Sequence, residues 1–160
     1  AQQLFLTLAL QARDEAGALQ HPQASAEATR ALLGRWWKTR IAAEDAPVLD
    51  NGSGLSRQTR ISATALARLL QVAYASPLMP ELMSSLPITG VDGTLKKTKG
   101  AASGSAHLKS GSLNDVTAMA GYVHAASGKT YVLVAMINHA GAPSARPALD
   151  ALVAWAVKDN

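Results

Sequence analysis

Cysteine is absent from the 160 residues, which excludes disulfides, thiolate metal sites and a cysteine nucleophile and leaves the compartment open. Aromatics are scarce: three Trp, three Tyr and one Phe offer few stacking surfaces for bases. Charged residues make up only 16%, and the net +4 is spread over single residues such as Arg13, Arg30, Arg57 and Lys158, with only Lys96, Lys97 and Lys99 clustered. That pattern argues against nucleic acid as a partner. No apolar run reaches membrane-spanning length. The N-terminal run Leu4–Leu10 lacks the preceding basic segment of a signal peptide and reads as a helix.

What is present is ample apolar material. With 48% hydrophobic residues the chain folds, and its length predicts one compact body. It opens inside an apparent helix with no initiating methionine, which points to a soluble piece of a larger protein. The first helix is predicted over 2–16, stopped by Gly17 and Pro22. Ser25 is the expected N-cap of a second helix, with Glu27 at its positive end, Arg35, Lys38 and Arg40 toward its last turn, and an apolar face of Ala28, Leu32 and Trp36 flanked by Leu33 and Trp37. Both tryptophans read as packing residues. Residues 41–60 collect turn formers and read as a structured loop with a short strand at Val48-Leu49. A third helix starts near Ser62 and carries Leu66, Leu69, Leu70, Ala73 and Tyr74 at helical spacing; Pro77 and Pro80 end it, and a helical turn follows over 81–86. Gly90, Gly93, Gly100 and Gly104 mark a flexible basic connection.

The last third changes period. Residues 107–113, 116–126 and 130–138 read as antiparallel strands, with Ser127-Gly128-Lys129 as a tight hairpin turn. The third strand is apolar on both sides, Tyr131, Leu133, Ala135 and Ile137 against Val132, Val134 and Met136, so both its faces are expected to be covered. A final helix over 144–158 presents Leu149, Leu152, Val153 and Ala156. The fold class is therefore α+β, an antiparallel sheet packed with helices.

Several chemistries fail on spacing. His21, His107, His124 and His139 show no metal-ligand pattern, so no metal or cofactor is implied. Ser127-Gly128-Lys129-Thr130 resembles the tail of a phosphate-binding loop, but the position five residues before Gly128 holds Val123 where that loop needs glycine. Asn51-Gly52-Ser53 fits a glycosylation acceptor and fits a plain Asn-Gly turn better. The segment Lys109-Ser110-Gly111-Ser112 is more informative. An ammonium and a hydroxyl bind a carboxylate, a glycine lets an extended ligand lie against a strand, and the Ser112 amide suits a developing oxyanion. Alternation sends Lys109 and Ser110 to opposite faces, so they serve one site only along an open strand edge. By itself the string also fits an ordinary strand end with a surface lysine.

That string resembles the Lys-Thr/Ser-Gly box of the penicillin-recognising serine enzymes, the third box after Ser-x-x-Lys and Ser-x-Asn. Asp50-Asn51-Gly52-Ser53-Gly54-Leu55-Ser56-Arg57, Gly90-Val91-Asp92-Gly93-Thr94-Leu95 and Ala120-Gly121-Tyr122 resemble, in order and spacing, segments of the class C low-molecular-mass penicillin-binding proteins, the D-alanyl-D-alanine carboxypeptidase/endopeptidase family. The resemblance runs over most of the chain. No Ser-x-x-Lys occurs, and the one Ser-x-Asn, Ser112-Leu113-Asn114, overlaps the third box. The resemblance thus implies that residues 1–160 are the carboxy-terminal portion of a transpeptidase/β-lactamase-like domain, with the upstream portion, including the nucleophile, on another segment. It implies a periplasmic or cell-envelope enzyme whose serine attacks the D-Ala-D-Ala bond of peptidoglycan stem peptides, forms an acyl-enzyme and is acylated by β-lactams. Lys109 would supply positive potential and assist the proton relay, the Ser112 N–H would form half of an oxyanion hole, Ser110 would bind the terminal carboxylate and Gly111 would permit close approach. Leu55 and Arg57, with Leu113 and Asn114 nearby, would line the pocket for the diaminopimelate side chain; a surface ion pair is the other reading of Arg57. A non-catalytic peptidoglycan-binding module is the alternative for the whole chain.

Overall fold

The computed structural model describes residues 1–13, 16–20, 23–98 and 102–159. Where length predicts one body, the chain packs as two compact units, residues 1–65 and 66–160. His21, Pro22, Lys99 and Gly100 lie outside the described residues.

In the first unit, α1 (Gln2–Thr7) gives way to a 3₁₀ turn over Leu8–Gln11, and Ala12 is already extended. The helix is therefore shorter than its apolar pattern predicts. Arg13 instead forms an antiparallel bridge with Leu19 across a turn where Gly17 adopts a φ of 79°. The second helix, α2 (Ala26–Arg40), starts where expected, with Ser25 Oγ accepting from the Ala28 N–H at 3.1 Å. Its buried face is Ala28, Thr29 and Trp37, whereas Trp36 is exposed, because α2 turns Thr29 toward α1 and the Thr29 hydroxyl donates to Phe5 O at 2.8 Å. The predicted apolar stripe is rotated accordingly.

A third helix, α3 (Ala63–Tyr74), spans the boundary between the units and begins at Ser62, whose Oγ accepts from the Ala65 N–H at 2.9 Å. After α4 (Met79–Ser84) and a 3₁₀ turn over Gly93–Leu95 comes a three-stranded antiparallel sheet in the order β1-β2-β3: β1 (Ala106–Leu113), β2 (Val116–His124) and β3 (Thr130–Asn138). The hairpin turn closes as expected, with the Ala125 N–H donating to Lys129 O at 2.8 Å and Gly128 at a φ of 86°. The last helix, α5 (Arg146–Lys158), follows a 3₁₀ turn over Ala142–Ala145.

One sheet face carries Ala106, Leu108, Met119, Val123 and Leu133 and packs on Leu149, Val153, Ala156 and Val157 of α5. Leu152, predicted inside, is at the helix flank and 36% exposed because Val157 completes the buried stripe. The opposite face is anchored by Tyr122, fully buried, whose hydroxyl donates to Leu70 O of α3 at 2.8 Å. Burial and the neighbouring Tyr74 phenol raise the Tyr122 phenol above its usual range. Val132, Val134 and Met136 on that face are half-buried, so β3 is not fully covered on both sides among the described residues.

Candidate active site

The site follows from the parity of β1. The Leu108 N–H donates to Pro87 O and the Thr89 N–H to Ala106 O, both at 2.9 Å, so the main-chain groups of even-numbered residues point away from β2. Pro87–Thr89 cover only the Ala106–Leu108 half of this edge. By the same alternation the N–H and C=O of Ser110 and the N–H of Ser112 face the continuation of the edge.

The side chains meet there. Lys109 leaves the sheet on the face opposite Ser110, but its ammonium folds back and donates to Ser110 O at 2.8 Å. The charge thus reaches the strand edge despite the alternation. Gly111 and Ser112 are exposed, Leu113 is half-buried, and Asn114 is exposed in the β1-β2 turn. A Cβ built on Gly111 meets nothing nearer than the Ala118 Cβ at 3.9 Å. The fold itself places no demand for glycine at that position.

Beside this strand lies the Gly90–Leu95 segment, ordered rather than flexible. Leu95 is fully buried in the core with Leu108, and the Gly90 N–H donates to Leu95 O at 2.9 Å. Asp92 Oδ1 accepts from the Ile88 N–H at 2.7 Å, and a Cβ on Gly90 would lie 2.1 Å from Ser103 Oγ. Buried Thr89 donates its hydroxyl to Ala102 O. Clamped in this way, Thr94 brings its Oγ1 to 2.7 Å from Ser110 Oγ. Thr94 was within the segment singled out in the sequence, yet nothing local in that string signals a contact sixteen residues away.

Leu55 and Arg57 lie in the first unit, on a loop closed by two bonds between Val48 and Arg60, N–H to O at 2.8 and 2.9 Å. The predicted short strand is this single bridge. Inside the loop, Asn51 Oδ1 accepts from the Ser53 N–H, Ser53 Oγ from the Leu55 N–H, and Ser56 Oγ from the Gln58 N–H at 2.9 to 3.1 Å. Gly52 sits on Phe5 so closely that a Cβ would fall 2.4 Å from the Phe5 Cβ. This framework holds Leu55 81% exposed at the loop surface.

The histidines among the described residues each have a protein partner: His107 Nδ1 is 3.1 Å from Met83 O, His124 Nδ1 is 3.2 Å from Thr130 Oγ1, and His139 Nδ1 accepts from the Gly141 N–H at 2.9 Å. Chemically, the β1 edge offers an ammonium, a hydroxyl and outward amides along an exposed strand, a set suited to an extended ligand ending in a carboxylate.

A sheet of this order, backed by α5, matches part of the fold of a solved penicillin-binding protein. The chain superposes on penicillin binding protein 4 (dacB) of Haemophilus influenzae, solved with a novel β-lactam, with a TM-score of 0.71 and 26% identity over 86% of this chain and 31% of that one. A predatory endopeptidase of Bdellovibrio bacteriovorus shares the fold, with a TM-score of 0.62 and 17% identity over 81% of this chain and 36% of that chain. In sequence, the chain is 35% identical to carboxypeptidase DacB of Mycolicibacterium smegmatis over 151 residues, 89% of this chain and 32% of the relative. It is 35% identical to a D-alanyl-D-alanine carboxypeptidase of an Actinomadura species over 101 residues, 59% of this chain and 19% of that one. Residues 10–159 match the D-Ala-D-Ala carboxypeptidase 3 (S13) family, and the chain belongs to it. It spans about a third or less of the length of these curated relatives.

Proposed function

We propose that these residues are the third-box portion of a serine-type D-alanyl-D-alanine carboxypeptidase/endopeptidase acting on peptidoglycan stem peptides, in the periplasm or cell envelope. The observation that carries this reading is the approach of the Lys109 ammonium to the outward Ser110 carbonyl on the edge of β1 toward which the Ser112 N–H also points, beside a Gly111 that the fold does not require. The substrate's terminal carboxylate lies against Ser110 and Lys109. Its backbone runs along the edge past Gly111, and the Ser112 N–H donates to the oxyanion that forms when a serine attacks the scissile carbonyl. β-Lactams enter as mimics of that peptide. The family resemblance also assigns Leu55, Arg57, Leu113 and Asn114 to the stem peptide's side chain, Arg57 pairing with the carboxylate that this side chain carries.

The nucleophile is on another segment of the same protein, carrying Ser-x-x-Lys and the separate Ser-x-Asn, neither of which this chain contains. Two facts support this. The family relatives are several times longer than the matched region. The outer side of β3 has an apolar groove of about 400 Å³ lined by Val132, Val134, Leu152 and Trp155, the last 58% exposed, which suits further chain from the same domain.

Benzylpenicillin labelling followed by intact mass tests the reading. The 160-residue chain alone is expected to take up no adduct and the whole protein one. An adduct on Ser110 or Ser53 of the chain alone contradicts it, and a whole protein that is never acylated favours a non-catalytic peptidoglycan-binding module.

A further inference from the structure

The contact between Thr94 and Ser110 has no packing purpose: both hydroxyls are at the exposed end of the core face, 2.7 Å apart, and the backbone under each is already fixed. We infer that Thr94 is a positioning residue that orients the Ser110 hydroxyl toward the ligand carboxylate, an assignment that rests on the reading of Ser110 given above. Proton accounting sets the direction of the bond. Ser110 has one hydroxyl proton, and a carboxylate can only accept, so a Ser110 that donates to the ligand must accept from Thr94. The chain of donation is Thr94 Oγ1–H to Ser110 Oγ, then Ser110 O–H to the carboxylate, and each bond polarises the next.

The need for such a partner comes from serine itself. A serine side chain has three staggered χ1 wells and nothing on Cβ to choose among them, whereas the γ-methyl of a threonine restricts χ1. Thr94 makes that choice from outside. It can do so because its own position is rigid: it stands between Gly93, whose φ is 52°, and the fully buried Leu95, in a segment tied down by Asp92 Oδ1 on the Ile88 N–H and by the Gly90 N–H on Leu95 O. A hydroxyl on a fixed backbone can hold another hydroxyl in one orientation before the ligand arrives.

The test is the second-order rate of acylation by benzylpenicillin in the whole protein, measured for T94V, T94S, S110A, and T94V built on S110T. Valine keeps the shape of threonine and removes the donor. T94V is expected to slow acylation roughly five- to tenfold, about the worth of one hydrogen bond, with the melting temperature kept, and T94S to restore most of the rate. On the S110T background, compared with S110T itself, T94V is expected to cost less than about twofold, because the added methyl already holds the hydroxyl. Equal losses on both backgrounds, or a loss that tracks a fallen melting temperature and is not recovered by T94S, would show a merely structural role and overturn the inference. T94V at the wild-type rate while S110A is slowed overturns it too and leaves the function of Ser110 standing. S110A at the wild-type rate instead removes the reading of Ser110 on which the inference rests.

Discussion

Gly111 and Gly121 are in neighbouring strands of one sheet, each inside a three-residue motif, and they are glycine for different reasons. At Gly121 the φ is 148° and a Cβ would lie 2.1 Å from His107 O and 3.0 Å from the Leu108 Cα. The next residue, Tyr122, is fully buried and bonded to α3. Ala-Gly-Tyr is thus a packing motif, where bare backbone lets β2 close on β1. At Gly111 the nearest atom to a Cβ is 3.9 Å away, the residue is exposed, and its neighbours present an ammonium, a hydroxyl and an amide. Two glycines equally visible in the sequence therefore separate, once space is measured, into one that the fold requires and one that it does not.

Mutation can break this comparison. The largest effect is expected for Gly121→Ala, which must push β1 away or distort β2 and should cost about 3 kcal/mol or more of stability in denaturant unfolding. Gly111→Ala should change stability by no more than about 1 kcal/mol, since the site is open and a side chain there lowers the entropy of the unfolded chain. Its acylation by benzylpenicillin in the whole protein should nevertheless fall roughly tenfold, because a methyl group where the ligand passes the strand displaces the reacting carbonyl. Stability losses of similar size at both glycines would erase the distinction. Tyr122→Phe removes one buried hydrogen bond and should cost about 1 kcal/mol without changing acylation beyond that loss.

The smallest effect is expected far from the β1 edge, at the end of α5. Asp159, in a left-handed conformation at the helix C-cap, takes hydrogen bonds from Tyr131 and from Lys129, the latter at 3.3 Å. The Ser127 hydroxyl first, then Tyr131 and Lys129, hold its carboxyl below the usual range, while Asp159 raises Lys129. A depressed carboxyl stabilises the fold above its unfolded value and loses that contribution as pH falls through its folded value. The raised Lys129 contributes below its unfolded value and loses its share as pH rises through its folded value. Asp159→Asn should therefore flatten slightly both the acid and the alkaline limbs of a stability profile, and an unchanged profile would show that the cluster contributes nothing.

What was legible in the sequence was what is local. The three strands, the hairpin turn at Gly128 and the Ser25 cap depend on alternation, turn chemistry and one side chain, all within a few residues. The α+β class followed from them. Which side of a helix is buried depends on a partner elsewhere in the chain, so Trp36 and Leu152 were placed inwards although the structure exposes both. The glycines of the 90–95 segment suggested flexibility because composition does not show that Leu95 is driven into the core or that Asp92 caps Ile88. For the site, residue types were readable along β1, but not the fold-back of Lys109 that overcomes strand alternation, nor the arrival of Thr94 at Ser110.

The central claim is that the half of the β1 edge beyond Leu108 binds the ligand, and Lys109→Ala tests it most directly because that side chain is exposed and its ammonium donates to a carbonyl of its own strand. The measurement is the second-order acylation rate of the whole protein by benzylpenicillin, with the melting temperature taken on the same preparation. The account predicts a rate roughly ten- to hundredfold lower, the worth of a charge-assisted hydrogen bond, at an unchanged melting temperature. Equal rates for Lys109→Ala and wild type would contradict it.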